Sequence, residues 1–336
     1  MKVKGIFIIL FLAAASVAAY FLLSHAFKSG DISRSFEFYY TVKVDSIPVY
    51  AKHITILIPV PQTDPHQVIE GIKFESPYPY TFITDSEYGD KAARFDLGGN
   101  PPESLQIKMT VSANRIRYTA LDGSKKGIDV PSPAMRARFL SPDRLIPLGG
   151  EILAERDKVI REGMTDLQKA QAIYDYLVAT MKYDKSGVGW GRGDALYACD
   201  ARRGNCTDFH SLFIGMARAS GIPARFVMGF PLPDDKEQGE ISGYHCWAEF
   251  YTDELGWVPV DASEANRHPE KKDFFFGSLD QNRIAFTYGR DIDFGIEGLK
   301  EPLNFLIYPV VLVDGNIYND VETAFEFANR HIERII

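Results

Sequence analysis

The strongest constraint on this chain is a cysteine at the start of a predicted helix. Cys206 follows Asn205, a good N-cap residue, and Asp208 lies in the first turn, where a negative charge is favourable. The apolar residues that follow recur at helical spacing: Phe209, Leu212, Phe213 and Met216. A thiol in the first turn lies beside backbone N–H groups that lack partners, which favours the thiolate. The sequence therefore predicts an amphipathic helix that presents Cys206 as a candidate nucleophile.

A histidine and an aspartate follow in a predicted β-hairpin. The hairpin consists of two runs rich in strand formers around a turn-like segment: residues 244–251, 252–256 and 257–260. If Tyr251 pairs with Trp257, His245 and Asp261 lie diagonally on one face, with about 7–8 Å between their backbones. A slip of one residue would put them on opposite faces, so the prediction depends on the register. The three side chains would supply a nucleophile, a base and a group that orients the base.

These blocks, taken together, resemble the transglutaminase-like superfamily. The resemblance covers roughly residues 150–265, and its blocks stand in the order of the family, which is more specific than any single motif. The blocks are Gly-Asn-Cys-Thr-Asp at 204–208, Ala-Arg-Ala-Ser-Gly-Ile-Pro-Ala-Arg at 217–225, His-Cys-Trp-Ala-Glu at 245–249 and Gly-Trp-Val-Pro-Val-Asp at 256–261.

The resemblance implies an α+β, papain-like core in which a helix that carries the cysteine packs on an antiparallel sheet. By motif position it implies Cys206 as the nucleophile, His245 as the base and Asp261 as the orienting acid. The family includes cross-linking acyltransferases, cysteine peptidases, amide hydrolases and members that have lost catalysis. The motifs therefore indicate the machinery of the site better than its substrate.

The chain has 336 residues, enough for about two domains. Short strands separated by proline, glycine and aspartate clusters predict an all-β, sandwich-like domain before the core. Helical periodicity appears at residues 152–160, and Thr165 with Gln168 predicts a capping box at the start of a further helix. The predicted division is a β-sandwich-like domain at 31–120, a linker at 121–150, the transglutaminase-like core at 151–265 and a strand-bearing C-terminal extension at 266–336.

The N-terminus, residues 1–28, is predicted to be a signal peptide or a membrane anchor. Lys2 and Lys4 precede an apolar run from Ile6 to Leu23 that is about long enough to span a bilayer. Small residues at 17–19 offer a cleavage site, so both alternatives stay open. The positive flank favours a globular part on the periplasmic or extracellular side, with an uncleaved anchor slightly preferred.

Further candidates surround the triad. Trp190, on a glycine-rich loop, His210, one helical turn after Cys206, and Tyr244, directly before His245, are candidates for substrate contact. A metal site would gather Cys199, Cys206, His210 and His245 or Cys246, but the short cysteine pair common in structural zinc sites is missing. In an oxidising compartment Cys199 and Cys246 would be able to form a disulfide that leaves Cys206 free.

The expected function is acyl transfer or hydrolysis on an amide or peptide bond through a thioester at Cys206. The expected partners are a protein or peptide as amide donor and water or an amine as acceptor, with no cofactor and no metal. A net charge of -8 argues against nucleic acid, whose phosphates need concentrated Lys and Arg. The alternatives are a cysteine peptidase or amidase of the same fold, a non-catalytic envelope binding scaffold and a zinc protein.

Overall fold

The structure is a computed structural model that describes residues 32–123, 127 and 129–330. Its helices are α1 (Pro133–Arg138), α2 (Glu151–Val159), α3 (Asp166–Thr180), α4 (Ala195–Ala201), α5 (Cys206–Ala219) and α6 (Ala262–Arg267). Its strands are β1 (Ser33–Val44), β2 (His53–Val60), β3 (Gln67–Glu75), β4 (Thr81–Thr84), β5 (Lys91–Gly98), β6 (Leu105–Ile116), β7 (Tyr118–Thr119), β8 (Lys182–Tyr183), β9 (Arg203–Gly204), β10 (Ala224–Pro231), β11 (Gln238–Glu240), β12 (His245–Thr252), β13 (Gly256–Val260), β14 (Ser278–Leu279), β15 (Arg283–Tyr288), β16 (Val310–Val313), β17 (Asn316–Ile317) and β18 (Val321–Asn329).

The predicted N-terminal signal or anchor, residues 1–28, lies outside the described residues. Among the residues that are described, none of the helices has the length and apolar character needed to cross a bilayer.

The centre of the fold is a helix buried against an antiparallel sheet. Strands β13, β12, β10 and β15 form this sheet in that order, and α5 packs on it. From Cys206 to Arg218 every residue of α5 is buried, because the apolar positions Phe209, Leu212, Phe213 and Met216 face neighbouring elements. The predicted α+β core, with its helix on an antiparallel sheet, is confirmed.

Local sequence signals account for several of these elements. Strand β12 pairs with β13 through Tyr251 and Trp257, the register on which the hairpin prediction depended. Helix α3 begins with a complete capping box between Thr165 and Gln168, also as predicted.

Two five-stranded sheets make up the β-rich part of the molecule. Their orders are β11-β18-β1-β6-β3 and β17-β16-β2-β5-β4. In the first, β18 pairs with β1, and in the second, β16 pairs with β2. Strands from the C-terminal segment therefore complete both sheets that the N-terminal strands begin. The division of the chain into domains stays a prediction.

Aromatic side chains join this β-rich part to the central sheet. Phe230 of β10 lies 5.0 Å from Phe38 of β1 and 4.5 Å from Phe325 of β18 between ring centroids. Phe286 of β15 packs edge-on against both Phe38 and Phe230. Since these rings are buried, one continuous hydrophobic core spans the two parts.

Candidate active site

Cys206 is the first residue of α5, and its surroundings fix the helix start. The Asn205 side chain accepts a hydrogen bond from the Thr207 N–H at 3.0 Å, while the Asp208 carboxylate accepts from the Asn205 N–H at 3.0 Å. This reciprocal pair is a capping box, so the first turn is rigid. As the first helical residue, Cys206 has a backbone N–H without an intrahelical acceptor.

His245 and Asp261 meet at the end of the β12–β13 hairpin. His245 opens β12, and Asp261 follows β13 as the N-cap of α6. Nε2 of His245 lies 2.7 Å from Oδ2 of Asp261, which also accepts from Arg283 at 3.1 Å. The second oxygen, Oδ1, accepts from the Ser263 hydroxyl and the Glu264 N–H, each at 3.0 Å. Asp261 is completely buried, so these four contacts hold it as a fixed anion beside the imidazole.

The thiol of Cys206 contacts His245 and its neighbour Cys246. It is in hydrogen-bonding contact with the thiol and backbone N–H of Cys246 and with the imidazole of His245. Burial alone would raise the pKa of Cys206, but these contacts outweigh it and lower the pKa to about 5. The site therefore holds a thiolate at neutral pH.

The charge of His245 complements this thiolate. Burial would lower the pKa of His245, but the Asp261 carboxylate and the Cys206 thiolate raise it well above its ordinary value. Conversely, although burial would raise the pKa of Asp261, the charge of His245 keeps it well below its usual range. Thiolate, imidazolium and carboxylate alternate in sign, which is the arrangement of an activated nucleophile with an oriented base.

A cleft of about 530 Å³ opens beside His245. Its walls include Tyr244, Tyr183 and Arg283. His245 is 7% exposed and Cys206 is 2% exposed, so a small part of the reactive pair reaches solvent. A substrate would approach through this cleft with most of its reacting bond shielded from water.

A model of the transglutaminase-like superfamily matches residues 155–262, a segment that contains all three of these side chains. Residues 155–262 therefore form a transglutaminase-like core. A protein of uncharacterised function from Haemophilus influenzae is 27% identical over 316 residues, covering 82% of this chain and 85% of its own length.

One solved structure supports the fold of this transglutaminase-like core. A candidate cysteine protease from Cytophaga hutchinsonii superposes with a TM-score of 0.61 at 15% identity, covering 90% of this chain and 93% of the other. The periplasmic domain of TgpA from Pseudomonas aeruginosa reaches a TM-score of only 0.34 at 16% identity, covering 74% of this chain and 93% of that domain, and nothing is inferred from it.

Of the additional residues predicted to contact substrate, Tyr244 lines the cleft. Its hydroxyl accepts a hydrogen bond from Asn205 at 2.9 Å, which brings the ring to the start of the nucleophile helix. Trp190 is half-buried in its loop and is not among the residues that line this cleft.

His210 is completely buried behind the triad rather than facing the cleft. Its Nε2 accepts a hydrogen bond from the Ala262 N–H at 3.1 Å, and its Nδ1 faces the Cys246 sulfur at 3.7 Å. Burial lowers the pKa of His210 to about 4, consistent with a neutral ring that acts as an acceptor. In this position His210 ties α5 to the start of α6, and a substrate does not reach it.

Asp208 is a site residue whose role was not apparent from sequence. Besides the Asn205 N–H, its carboxylate accepts from Gly191 at 2.7 Å and from Gly193 at 3.1 Å. Burial raises the pKa of Asp208 to about 6, although these N–H groups oppose the shift. Asp208 thus fastens the glycine-rich loop to the helix turn that carries Cys206. The helix-cap pattern placed Asp208 in the first turn of the helix but contains no information about the loop.

The three cysteines occupy distinct environments. All are free and buried, so the Cys199–Cys246 disulfide is not formed in this structure. Cys199 lies in α4, where burial raises its pKa to about 12. In the described part of the chain, no group of three or more His, Cys, Asp or Glu side chains is arranged to hold a metal ion.

Proposed function

We propose that this protein is a cysteine enzyme that cleaves amide or peptide bonds through a thioester at Cys206 and passes the acyl group to water or an amine. The observation that carries the proposal is the contact of Cys206 with His245 and of His245 with Asp261, beside a partly open cleft that His245 lines. The transglutaminase-like core supports this reaction class, and a solved structure that shares its fold is a candidate cysteine protease.

Acylation begins from the thiolate–imidazolium pair. The sulfur of Cys206 attacks the carbonyl carbon, forming a C–S bond and placing negative charge on the carbonyl oxygen. The free N–H of Cys206, at the positive end of α5, is positioned to stabilise that oxyanion. His245 then gives its proton to the leaving nitrogen as the C–N bond breaks, and an amine departs from the thioester.

Deacylation reverses the proton transfers. Neutral His245 takes a proton from water or an acceptor amine, whose oxygen or nitrogen attacks the thioester carbon. The C–S bond breaks, the thiolate returns, and the product is a carboxylic acid or a new amide. Asp261 stays ionised throughout, since it keeps His245 oriented and stabilises its positive charge.

We further propose a protein or peptide substrate and an exported location. The substrate class follows from the superfamily and from a cleft large enough for several side chains. The location follows from residues 1–28, with two lysines before a long apolar run.

Alkylation at neutral pH tests the reactive pair. Iodoacetamide should label Cys206 rapidly in the wild-type protein and far more slowly in His245→Ala, because the variant loses the imidazolium that stabilises the thiolate. Peptide mass spectrometry follows each cysteine separately, with Cys199 as an internal reference of raised pKa. A non-catalytic scaffold would instead show equal labelling of Cys206 in both proteins.

The fate of the acyl group needs a second measurement. The purified protein is incubated with a labelled primary amine and a mixed protein extract, and modified substrates are identified by mass spectrometry. Incorporated amine indicates transfer, whereas new chain ends or released ammonia indicate hydrolysis. If both products are absent and Cys206 carries no acyl adduct, the result would contradict an enzymatic function.

A further inference from the structure

A second groove adjoins the cleft at the edge of a β-sheet. This edge groove, of about 510 Å³, is formed by residues 240–242, Tyr308 and residues 323–326. Residues 240–242 also line the cleft beside His245, so the two depressions share this segment as a common wall.

The backbone along this edge is left without a partner strand. In β18, odd-numbered residues face β11: the Asn329 N–H donates to Glu237, and the Phe325 carbonyl accepts from Ile241. Even-numbered residues face β1, as the hydrogen bond from Arg330 to Ser35 shows. Alternation along the strand therefore directs the N–H and C=O of Thr323 to the open side.

Strand β11 covers only part of that side. It ends at Glu240, opposite Glu326, and the chain then turns towards Tyr244 and His245. Within the described residues β18 pairs with β1 and β11 alone, so no strand continues alongside Thr323. Such a row of open backbone groups is matched by the main chain of an extended polypeptide.

Aromatic rings connect this edge to the nucleophile helix. Tyr308, 39% exposed, lies 5.9 Å from Phe325 on one side and 5.7 Å from Tyr244 on the other, between ring centroids. Tyr244 in turn contacts Asn205 beside Cys206. A chain seated on the edge would pass over these two tyrosines before it reached the thiolate.

The charge of the groove specifies the side chains of its occupant. Glu240 and Glu326 stand directly opposite each other across β11 and β18, and like charges in such positions destabilise a sheet. Neither carboxylate has an ion-pair partner among the described residues, and the residues that line the groove include no lysine or arginine. A lysine or arginine between the two carboxylates would relieve the repulsion.

We propose that the edge groove binds an extended segment of the substrate that carries lysine or arginine, adding it as a strand beside β18. The segment hydrogen-bonds to the backbone of Thr323, places a basic side chain between Glu240 and Glu326, and continues over Tyr308 into the cleft. This inference rests on the proposed function, since it names the class of polypeptide that the active site receives.

Binding is tested without turnover, using the Cys206→Ala protein and a fluorescently labelled peptide of alternating lysine and valine. Thr323→Pro should weaken binding about tenfold because it removes one edge N–H, whereas Thr323→Val keeps that N–H and should stay within about twofold of the parent. Proline is tolerated on an edge strand, so the fold should survive the change. The double variant Glu240→Gln/Glu326→Gln should bind the peptide more weakly at low salt, and its affinity should depend less on the salt concentration.

Changes in the peptide provide a test that needs no variant of the protein. A peptide N-methylated at every residue presents no N–H on either edge, cannot form the strand pairing and should bind at least tenfold more weakly. Equal binding of the methylated peptide, or of a glutamate–valine peptide, would overturn the proposal, as would equal effects of Thr323→Pro and Thr323→Val. If the peptide binds as expected while Cys206 shows no His245-dependent alkylation, the docking edge stands and the proposed catalysis fails.

Discussion

At the residue scale, two buried histidines lie near the same carboxylate but have opposite protonation behaviour. Asp261 contacts His245 through Oδ2 at 2.7 Å, while His210 lies 3.6 Å from Oδ1. His245 also faces the Cys206 thiolate, so its charged form is stabilised twice. His210 instead accepts a backbone hydrogen bond, which requires an unprotonated nitrogen. The partner of each ring, rather than burial alone, decides which histidine carries a positive charge.

The pH dependence of alkylation should report this ion pair. A lowered thiol pKa means that the thiolate persists as the pH falls, until Cys206 protonates near its pKa of about 5. In wild type the rate of Cys206 alkylation should rise with a midpoint near that value. In His245→Ala the midpoint should move up by at least about 2 pH units, towards the ordinary thiol pKa of about 8.5. Superimposable pH profiles would contradict the pairing.

Cys246 should contribute to the same thiolate. Its own pKa is raised well above the ordinary value, first by burial and then by its hydrogen bond with Cys206, so it remains a protonated donor. Cys246→Ala should raise the midpoint of Cys206 alkylation by about 1 pH unit, because the side-chain donor is lost while the backbone N–H stays. Cys199→Ala serves as the matched control and should leave the midpoint unchanged.

At the element scale, the start of α5 and the loop before it behave as one unit. Asp208 accepts backbone N–H groups from Gly191, Gly193 and Asn205. Gly204 passes close above this carboxylate with φ of 156°, and a Cβ there would lie 2.3 Å from Oδ2 of Asp208. The helix cap, Gly204 and the glycine-rich loop therefore fix the position of Cys206 together.

Removing the Asp208 carboxylate should loosen this unit. Asp208→Ala leaves three backbone donors without their acceptor, at a cost of about 1–3 kcal/mol for each one that stays buried. Urea unfolding should show a large loss of stability, and Cys206 alkylation should slow. Asp208→Asn keeps an acceptor oxygen and buries no charge, so its loss should be smaller. A stability loss below about 1 kcal/mol in Asp208→Ala would contradict this role.

At the scale of the whole molecule, the last described strand joins the β-rich part to the active-site sheet. Phe325 of β18 packs against Phe230 of β10 and, at 4.8 Å, against Tyr40 of β1. It is 6% exposed, so its ring belongs to the shared core. Since β10 is hydrogen-bonded to β12, which carries His245, disruption at Phe325 should reach the site.

Phe325→Ala should therefore destabilise the protein as a whole. The expected loss is about 3–5 kcal/mol, typical of a large cavity in a packed core. Circular dichroism and the fluorescence of the core tryptophans, Trp247 and Trp257, should report one coincident urea transition at a lower midpoint. Glu322→Ala, an exposed change on the same strand, is the control and should shift the midpoint little. Separate transitions for the two probes would show that the two parts unfold independently.

Local rules were sufficient to predict the segments that carry Cys206, His245 and Asp261. The N-cap at Asn205 and the apolar period after it define α5, and the turn after Tyr251 sets the register that aligns His245 with Asp261. Such signals act over a few residues, so they can be read from neighbouring positions along the chain. The resemblance to the transglutaminase-like superfamily placed these parts in one core, as the family match and the fold bear out.

By itself, the sequence determined which segments become the helix of Cys206 and the hairpin of His245, because caps, turns and hydrophobic periods are local. Only the tertiary structure decided that Cys246 supports the thiolate, that Asp208 fastens a distant loop and that β18 leaves an open edge beside the cleft. Alternating apolar patterns are compatible with many strand partners. The choice among them depends on how the whole core packs, and that information is not contained in any short stretch of chain.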